Sequence, residues 1–255
     1  MSNDSRPPRL AVLIDADNAS SKIADGLFEE IAKIGEASVR RIYGDFSSER
    51  LKGWADILAH HAIIPQHQIA YTTGKNSSDI TLVIDAMDLL HSGRFDGFCL
   101  VSSDSDFTRL ASRIREQGVD VYGFGEKKTP ESFRQACRRF IYTENLTPPS
   151  ASNGTEVIGA AQSLEKPGAA AKVLKTAIDS LDEPDDGWIS LSVLGKQLAN
   201  LRSDFDPRSY GYKKLSDMIR GTSGFEIQSG PGGHLQVRTA STGQSARKQQ
   251  AKQKT

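Results

Sequence analysis

The chain has 255 residues and carries 32 Lys and Arg against 32 Asp and Glu, so its formal charge at pH 7 is zero. With 37% hydrophobic and 25% charged residues it has the composition of a folded globular protein, which excludes disordered and fibrous classes. No apolar run approaches the roughly 20 residues of a membrane span, Met1 to Pro8 lacks the apolar stretch of a secretion signal, and Cys99 and Cys137 are too few for a disulfide framework or zinc knuckle. The expectation is a cytoplasmic protein with two buried thiols.

In chain order, apolar runs rich in β-branched residues predict strands at 9–15 (RLAVLID), 38–45 (SVRRIYGD), 62–70 (AIIPQHQIA), 97–104 (GFCLVSSD) and 119–125 (VDVYGFG). Helical patterns fill the gaps at about 20–34, 48–60, 79–91, 106–117 and 130–139, the fourth closed by Gly118 as a C-cap. Strict alternation of strand and helix predicts an α/β domain, a parallel sheet covered by helices on both faces. Residues 148–169 are small, polar and rich in Pro and Gly, and read as a linker between a first domain at 1–147 and a second at 170–238. The second domain shows three helical patterns and a closing FEIQSGPGGHLQVR, whose central turn residues join two short strands in a winged-helix outline. Residues 239–255 lack apolar anchors and read as a disordered basic tail.

The zero net charge is an average of unlike parts: 18 Lys and Arg against 21 Asp and Glu through residue 147, 9 against 9 in the second domain, and 4 against 0 after residue 238. Neutrality argues against a nucleic-acid protein, but a carboxylate-rich cleft masks basic surface elsewhere.

In parallel α/β sheets, ligands bind beyond the carboxyl ends of the strands, and here strands end in acids. IDADN places Asp15, Asp17 and Asn18 at that edge, VSSDSDF places Asp104 and Asp106 there, and GKNSSD brings Asp79 to a helix start, with Asp85 and Asp88 further along. Taken singly, each acid is explained as a helix cap, a role that suits Asp17, Asp85 and Asp88. Together, Asp15, Asp79, Asp104 and Asp106 repel one another unless a cation sits among them. Mg²⁺ or Mn²⁺ is the expected occupant, because hard cations take oxygen ligands whereas zinc favours His and Cys, and no such set is visible. Lys75, on the loop before Asp79, is the best-placed cation for a phosphate. The pairs Arg40–Arg41 and Arg138–Arg139 read as solvated surface. His60, His61 and His67, without a matched carboxylate, read as surface or partly buried histidines. The glycines of GFGEKK read as ordinary turn glycines, since they lack a dinucleotide pattern.

LIDADN, GKNSSDITLVIDAMDLL and VSSDSDF, in this order over about residues 8–146, resemble the NYN domain of the PIN-like nuclease group. The resemblance implies a PIN-like fold and metal-dependent RNA cleavage. It assigns metal-binding acids at Asp15, Asp79, Asp104 and Asp106, with Asn18 as a polar helper and Asp85 as a further candidate. IDAD also satisfies the opening of haloacid-dehalogenase phosphatases, with Asp15 as nucleophile, but Asn18 follows where that group has Gly and Thr, and no cap domain is visible. The second domain resembles the OST-HTH or LOTUS domain in WISLSVLG, SYGYKKLSDMI and FEI with its glycine-rich wing. That likeness implies RNA binding and, in some members, protein partners, with contacts expected from Tyr212, Lys213, Lys214, His234 and Arg238. Spacing leaves open whether Tyr210 and Tyr212 stack on bases or pack in the core. Two functions remain: a metal-dependent endoribonuclease of RNA processing or decay, and a non-catalytic RNA-binding regulator that keeps the fold as an interaction platform.

Overall fold

The computed structural model describes residues 6–67, 77–146, 167–181 and 187–240. The chain divides into two compact units, Met1–Thr155 and Glu156–Thr255. The predicted linker, Lys75 and the tail fall wholly or mostly outside the described residues.

In the first unit, six parallel strands, β1 (Arg9–Asp15), β2 (Glu36–Gly44), β3 (Ile64–His67), β4 (Gly97–Val101), β5 (Asp120–Gly125) and β6 (Arg139–Tyr142), lie in the order β3-β2-β1-β4-β5-β6. The helices are α1 (Ala24–Ala32), α2 (Lys52–Ala55), α3 (Ser77–His91), α4 (Thr108–Glu116) and α5 (Glu131–Ala136). This is the doubly wound α/β arrangement expected of a PIN-like domain. Leu10 to Ile14 of the central strand β1 are fully buried. Alternate side chains serve opposite faces: Ala11 and Leu13 join α3, α4 and α5, while Leu10, Val12 and Ile14 join α1 and Trp54. Each large side chain so buried contributes about 2 kcal/mol relative to exposure. The strand order reverses direction between β1 and β4, which opens a crevice beyond their carboxyl ends.

Three expectations are corrected. The helix predicted to reach 139 stops at Ala136, and Arg139–Tyr142 forms a sixth strand beside β5. The helix expected over 48–60 is regular only at Lys52–Ala55, after a 3-10 turn at Glu49–Leu51. Gly123 and Gly125 belong to β5 rather than to a turn, and a Cβ on Gly125 would lie 2.5 Å from the Ser102 carbonyl oxygen.

In the second unit, α6 (Pro167–Asp179), α7 (Leu191–Leu201) and α8 (Leu215–Gly221) pack on an antiparallel sheet of order β7-β9-β8, formed by β7 (Ile189–Ser190), β8 (Phe225–Ser229) and β9 (Leu235–Thr239). Leu174, Leu194, Leu198, Met218, Ile219 and Val237 make its core. Gly232 and Gly233, at φ 76° and 79°, turn the chain between β8 and β9 where side chains with a Cβ are strained. Trp188 leads into the short strand β7 rather than directly into a helix.

Candidate functional site

Asp15 ends β1 with only 1% of its surface exposed. Its Oδ1 accepts from the backbone N–H groups of Asp17 (3.1 Å) and Asn18 (3.3 Å). Its Oδ2 accepts from Asn18 Nδ2 (2.9 Å) and Ser102 Oγ (2.7 Å). Burial pushes the carboxyl above its ordinary range, while the bonds from Ser102 and Asn18 favour the ionised form. Both oxygens being held by donors, Asp15 is shaped as a fixed anion rather than the free nucleophile that a phosphatase needs.

Ser102, just beyond β4, is the residue that sequence reasoning missed. It is 2% exposed, and besides donating to Asp15 its Oγ accepts from the Asp104 N–H at 3.0 Å. One hydroxyl thereby links the ends of the two strands flanking the crevice. Asp104 caps the following 3-10 turn, accepting from the Asp106 N–H at 2.9 Å. The cap role and the cleft role coincide in one residue.

Asp79 sits half-buried in the first turn of α3. Its carboxyl is pushed up to about 6, first by burial and then by the charges of Asp15, Asp104, Asp17 and Asp106. Acids from β1, from the turn after it and from beyond β4 therefore act on Asp79 of α3. Asp79 and Asp106 also line a cleft of about 300 Å³ with Ile80, Val83, Ile84 and Phe107. Among the described residues, no three of these acids bring ligand oxygens within 4.8 Å of one another. Their spacing is that of a rim around a cleft, wider than a closed single-ion cage. A cluster in which burial and the neighbouring charges together raise Asp79 suits a divalent cation, and its donors are all oxygen.

The neighbouring acids have other partners. Asp17 pairs with Arg50 and accepts from Ser78 Oγ at 3.4 Å. Asp85 accepts from Arg41 Nη1 and Tyr43 OH, each at 2.8 Å, and burial, followed by this contact, drives the Tyr43 phenol far above its ordinary range. That makes Asp85 a structural anchor between α3 and β2. Asn18 and Asp17 line a second cleft of about 320 Å³ with Arg50, Trp54, Glu126 and Lys128. The arginine pairs are engaged within the fold: Arg40 over the Phe28 ring, Arg41 with Asp85, Arg138 with Asp120 and Arg139 with Glu30. Lys75 lies outside the described residues.

His60 is exposed and His61 half-buried, as expected of surface or partly buried histidines, but a carboxylate does meet them, from α1: Asp25 Oδ1 stands 3.3 Å from His61 Nε2. His67 ends β3, and its side chain lies outside the described residues.

In the second unit, Lys213, Lys214 and His234 are exposed. Tyr212 is half-buried in the core cluster, its ring filling the space beside Gly221, where a Cβ would come within 2.6 Å. Tyr210 joins the same cluster. Arg238 is held by Glu226 (2.7 Å) and over the Trp188 ring (4.4 Å). Two cations and a wing histidine thus face solvent, while Tyr212 and Arg238 brace the fold.

The NYN domain profile matches residues 9–146, and the OST-HTH/LOTUS domain profile matches residues 168–237. A crystal structure of a protein of unknown function from Vibrio parahaemolyticus is 20% identical, covering 55% of this chain and 94% of that one, with a TM-score of 0.45. A solution structure of an uncharacterized protein from Nitrosomonas europaea is 31% identical, covering 37% of this chain and 92% of that one, with a TM-score of 0.27. Among curated proteins none matches.

Proposed function

We propose, from the premise that this chain belongs to the NYN family of PIN-like nuclease domains and carries an OST-HTH/LOTUS domain, that it is a metal-dependent endoribonuclease of RNA processing or decay. The observation that carries the reading is the acid-lined crevice, in which Ser102 ties Asp15 to Asp104 and in which burial, together with the charges of Asp15, Asp104, Asp17 and Asp106, raises the Asp79 carboxyl to about 6. Such an arrangement is unfavourable in an apo fold and is relieved by a dication.

Asp15, Asp79, Asp104 and Asp106 are the residues that would hold Mg²⁺ or Mn²⁺. When bound, such an ion lowers the pKa of water and offsets charge developing on a phosphodiester. The protein's own part is positioning. Ser102 and Asn18 fix the Asp15 carboxylate so that little reorganisation is needed at the moment of reaction. Asn18, which lines the second cleft with Arg50 and Lys128, is proposed to meet the sugar-phosphate backbone, and Lys75 to serve the same end. Lys213, Lys214 and His234 supply phosphate contacts in the second unit, which raises the local RNA concentration at the first.

The test is cleavage of labelled single-stranded and structured RNAs in Mg²⁺ or Mn²⁺ by the wild-type chain and by Asp15→Asn/Asp104→Asn. Cutting by the wild type and a loss of roughly a hundredfold or more in the variant are expected; equal cutting by both rejects the site. The wide spacing of the acids favours a second reading, a non-catalytic RNA-binding regulator. RNA binding with no turnover in either metal would select it.

A further inference from the structure

The first unit carries a second cluster of metal-ligating groups, on a different part of the fold and of different chemistry. Asp25 comes from the first turn of α1, and His60 and His61 from the turn before β3. Their ligand atoms all lie within 4.8 Å of one another, and among the described residues no other group of three does so. We propose that Asp25, His60 and His61 form a binding site for a borderline divalent transition ion of the zinc class.

The geometry is close to what such an ion requires. Ligand atoms sharing a tetrahedral zinc at bond lengths of about 2.1 Å stand about 3.4 Å apart. The 3.3 Å between Asp25 Oδ1 and His61 Nε2 matches that edge. His61 is the fixed member: its side chain is 11% exposed, its ring stacks on Phe28 at 5.1 Å, and its carbonyl accepts from Arg40 Nη1 at 2.7 Å. The same guanidinium lies over the Phe28 ring at 4.9 Å, which holds it beside His61. His60 meets His61 edge-on, ring centroids 4.7 Å apart, and with Asp25 it faces solvent, so two ligands can close on an arriving ion.

Backbone strain adds to the case. Ala62, the residue after the pair, has φ 50°, the only positive φ on a non-glycine among the described residues. Such a conformation costs about 1–3 kcal/mol and persists only where surrounding contacts impose it. Here it turns the chain sharply from His61 into the edge of the sheet. Three ligands leave a fourth position for water, and the donor set separates this site from the crevice: two imidazoles and one carboxylate select zinc over Mg²⁺, whereas the crevice offers oxygen alone. The inference stands independently of ribonuclease activity.

The test is zinc titration of the untagged full-length chain by calorimetry in excess Mg²⁺, with Co²⁺ absorption near the visible d–d bands as a second readout. The wild type should bind one Zn²⁺ saturably. Asp25→Asn and His60→Ala, both at exposed positions and checked for folding by circular dichroism, should each weaken binding roughly tenfold or more. Asp15→Asn/Asp104→Asn should leave it unchanged. No saturable binding, or wild-type affinity retained in Asp25→Asn and His60→Ala, overturns the site and leaves an ordinary His–Asp contact.

Discussion

At Asp79, stability and function pull in opposite directions. A carboxyl raised from 3.8 to about 6 contributes stability that is fully present below 3.8 and lost as pH rises through 6, so at neutral pH the ionised group opposes folding. Asp79→Asn should therefore stabilise the fold at pH 7.5 in EDTA by about 1 kcal/mol, once solvent screening of a half-buried group is allowed for, and so raise its melting temperature. Thermal melts should show the gap between variant and wild type closing as the pH falls to 4. Ser102 makes the converse case. Ser102→Ala removes a donor from the buried Asp15 carboxylate and an acceptor from the Asp104 N–H, at an expected cost of about 1–3 kcal/mol in denaturant unfolding. Mn²⁺ affinity should fall roughly 10–100-fold, as when a ligand loses its orienting neighbour. The positions of the acids were legible because Asp15, Asp104 and Asp106 stand at or just beyond strand ends and Asp79 opens a helix. Ser102 was not, since a serine among four polar neighbours carries no mark of the partner 87 positions away. The carboxylate partner of His61 was missed for the same reason: Asp25 is distant in sequence and adjacent only in the fold.

Among the elements, five strands and most of the helices between them were readable from periodicity, because β4 and the Leu10–Ile14 body of β1 are apolar and α4 places Leu110, Ala111 and Ile114 on one face. The sixth strand was not. Arg138 and Arg139 precede only three apolar residues, and β6 is held by pairing with β5 and by ion pairs to Asp120 and Glu30 that no local pattern announces. α2 shrank because Gly53 lies inside it and the chain must turn toward the edge strand. Gly125 shows the same hidden dependence. Gly125→Ala would press a methyl against the Ser102 carbonyl and the Phe140 ring, neither free to move far, and should destabilise the fold by about 1–3 kcal/mol in urea titration. Part of that change should appear as weaker metal binding, since Ser102 is the residue displaced.

For the molecule as a whole, zero net charge conceals a division of labour. Acids dominate the first unit, while the described cations of the second that face solvent include Lys213 and Lys214 at the start of α8. RNA affinity should fall as salt rises, and Lys213→Ala/Lys214→Ala should reduce the slope of log K against log salt by about 0.7 for each phosphate of a single strand that the variant no longer neutralises. Filter binding across a salt series measures this, and an unchanged slope would move RNA binding away from α8. No helix among the described residues is long and apolar enough to cross a membrane.

The margin of the large sheet shows how the fold guards itself. β3 is an edge strand, and Ile64 on it is 59% exposed, a combination that invites another chain to dock edge to edge and seed fibrils. The next residue, Pro65, has no amide hydrogen to offer, so an incoming strand would find the ladder interrupted at its most adhesive point. A single imino acid thus keeps a greasy rim from becoming a template for aggregation.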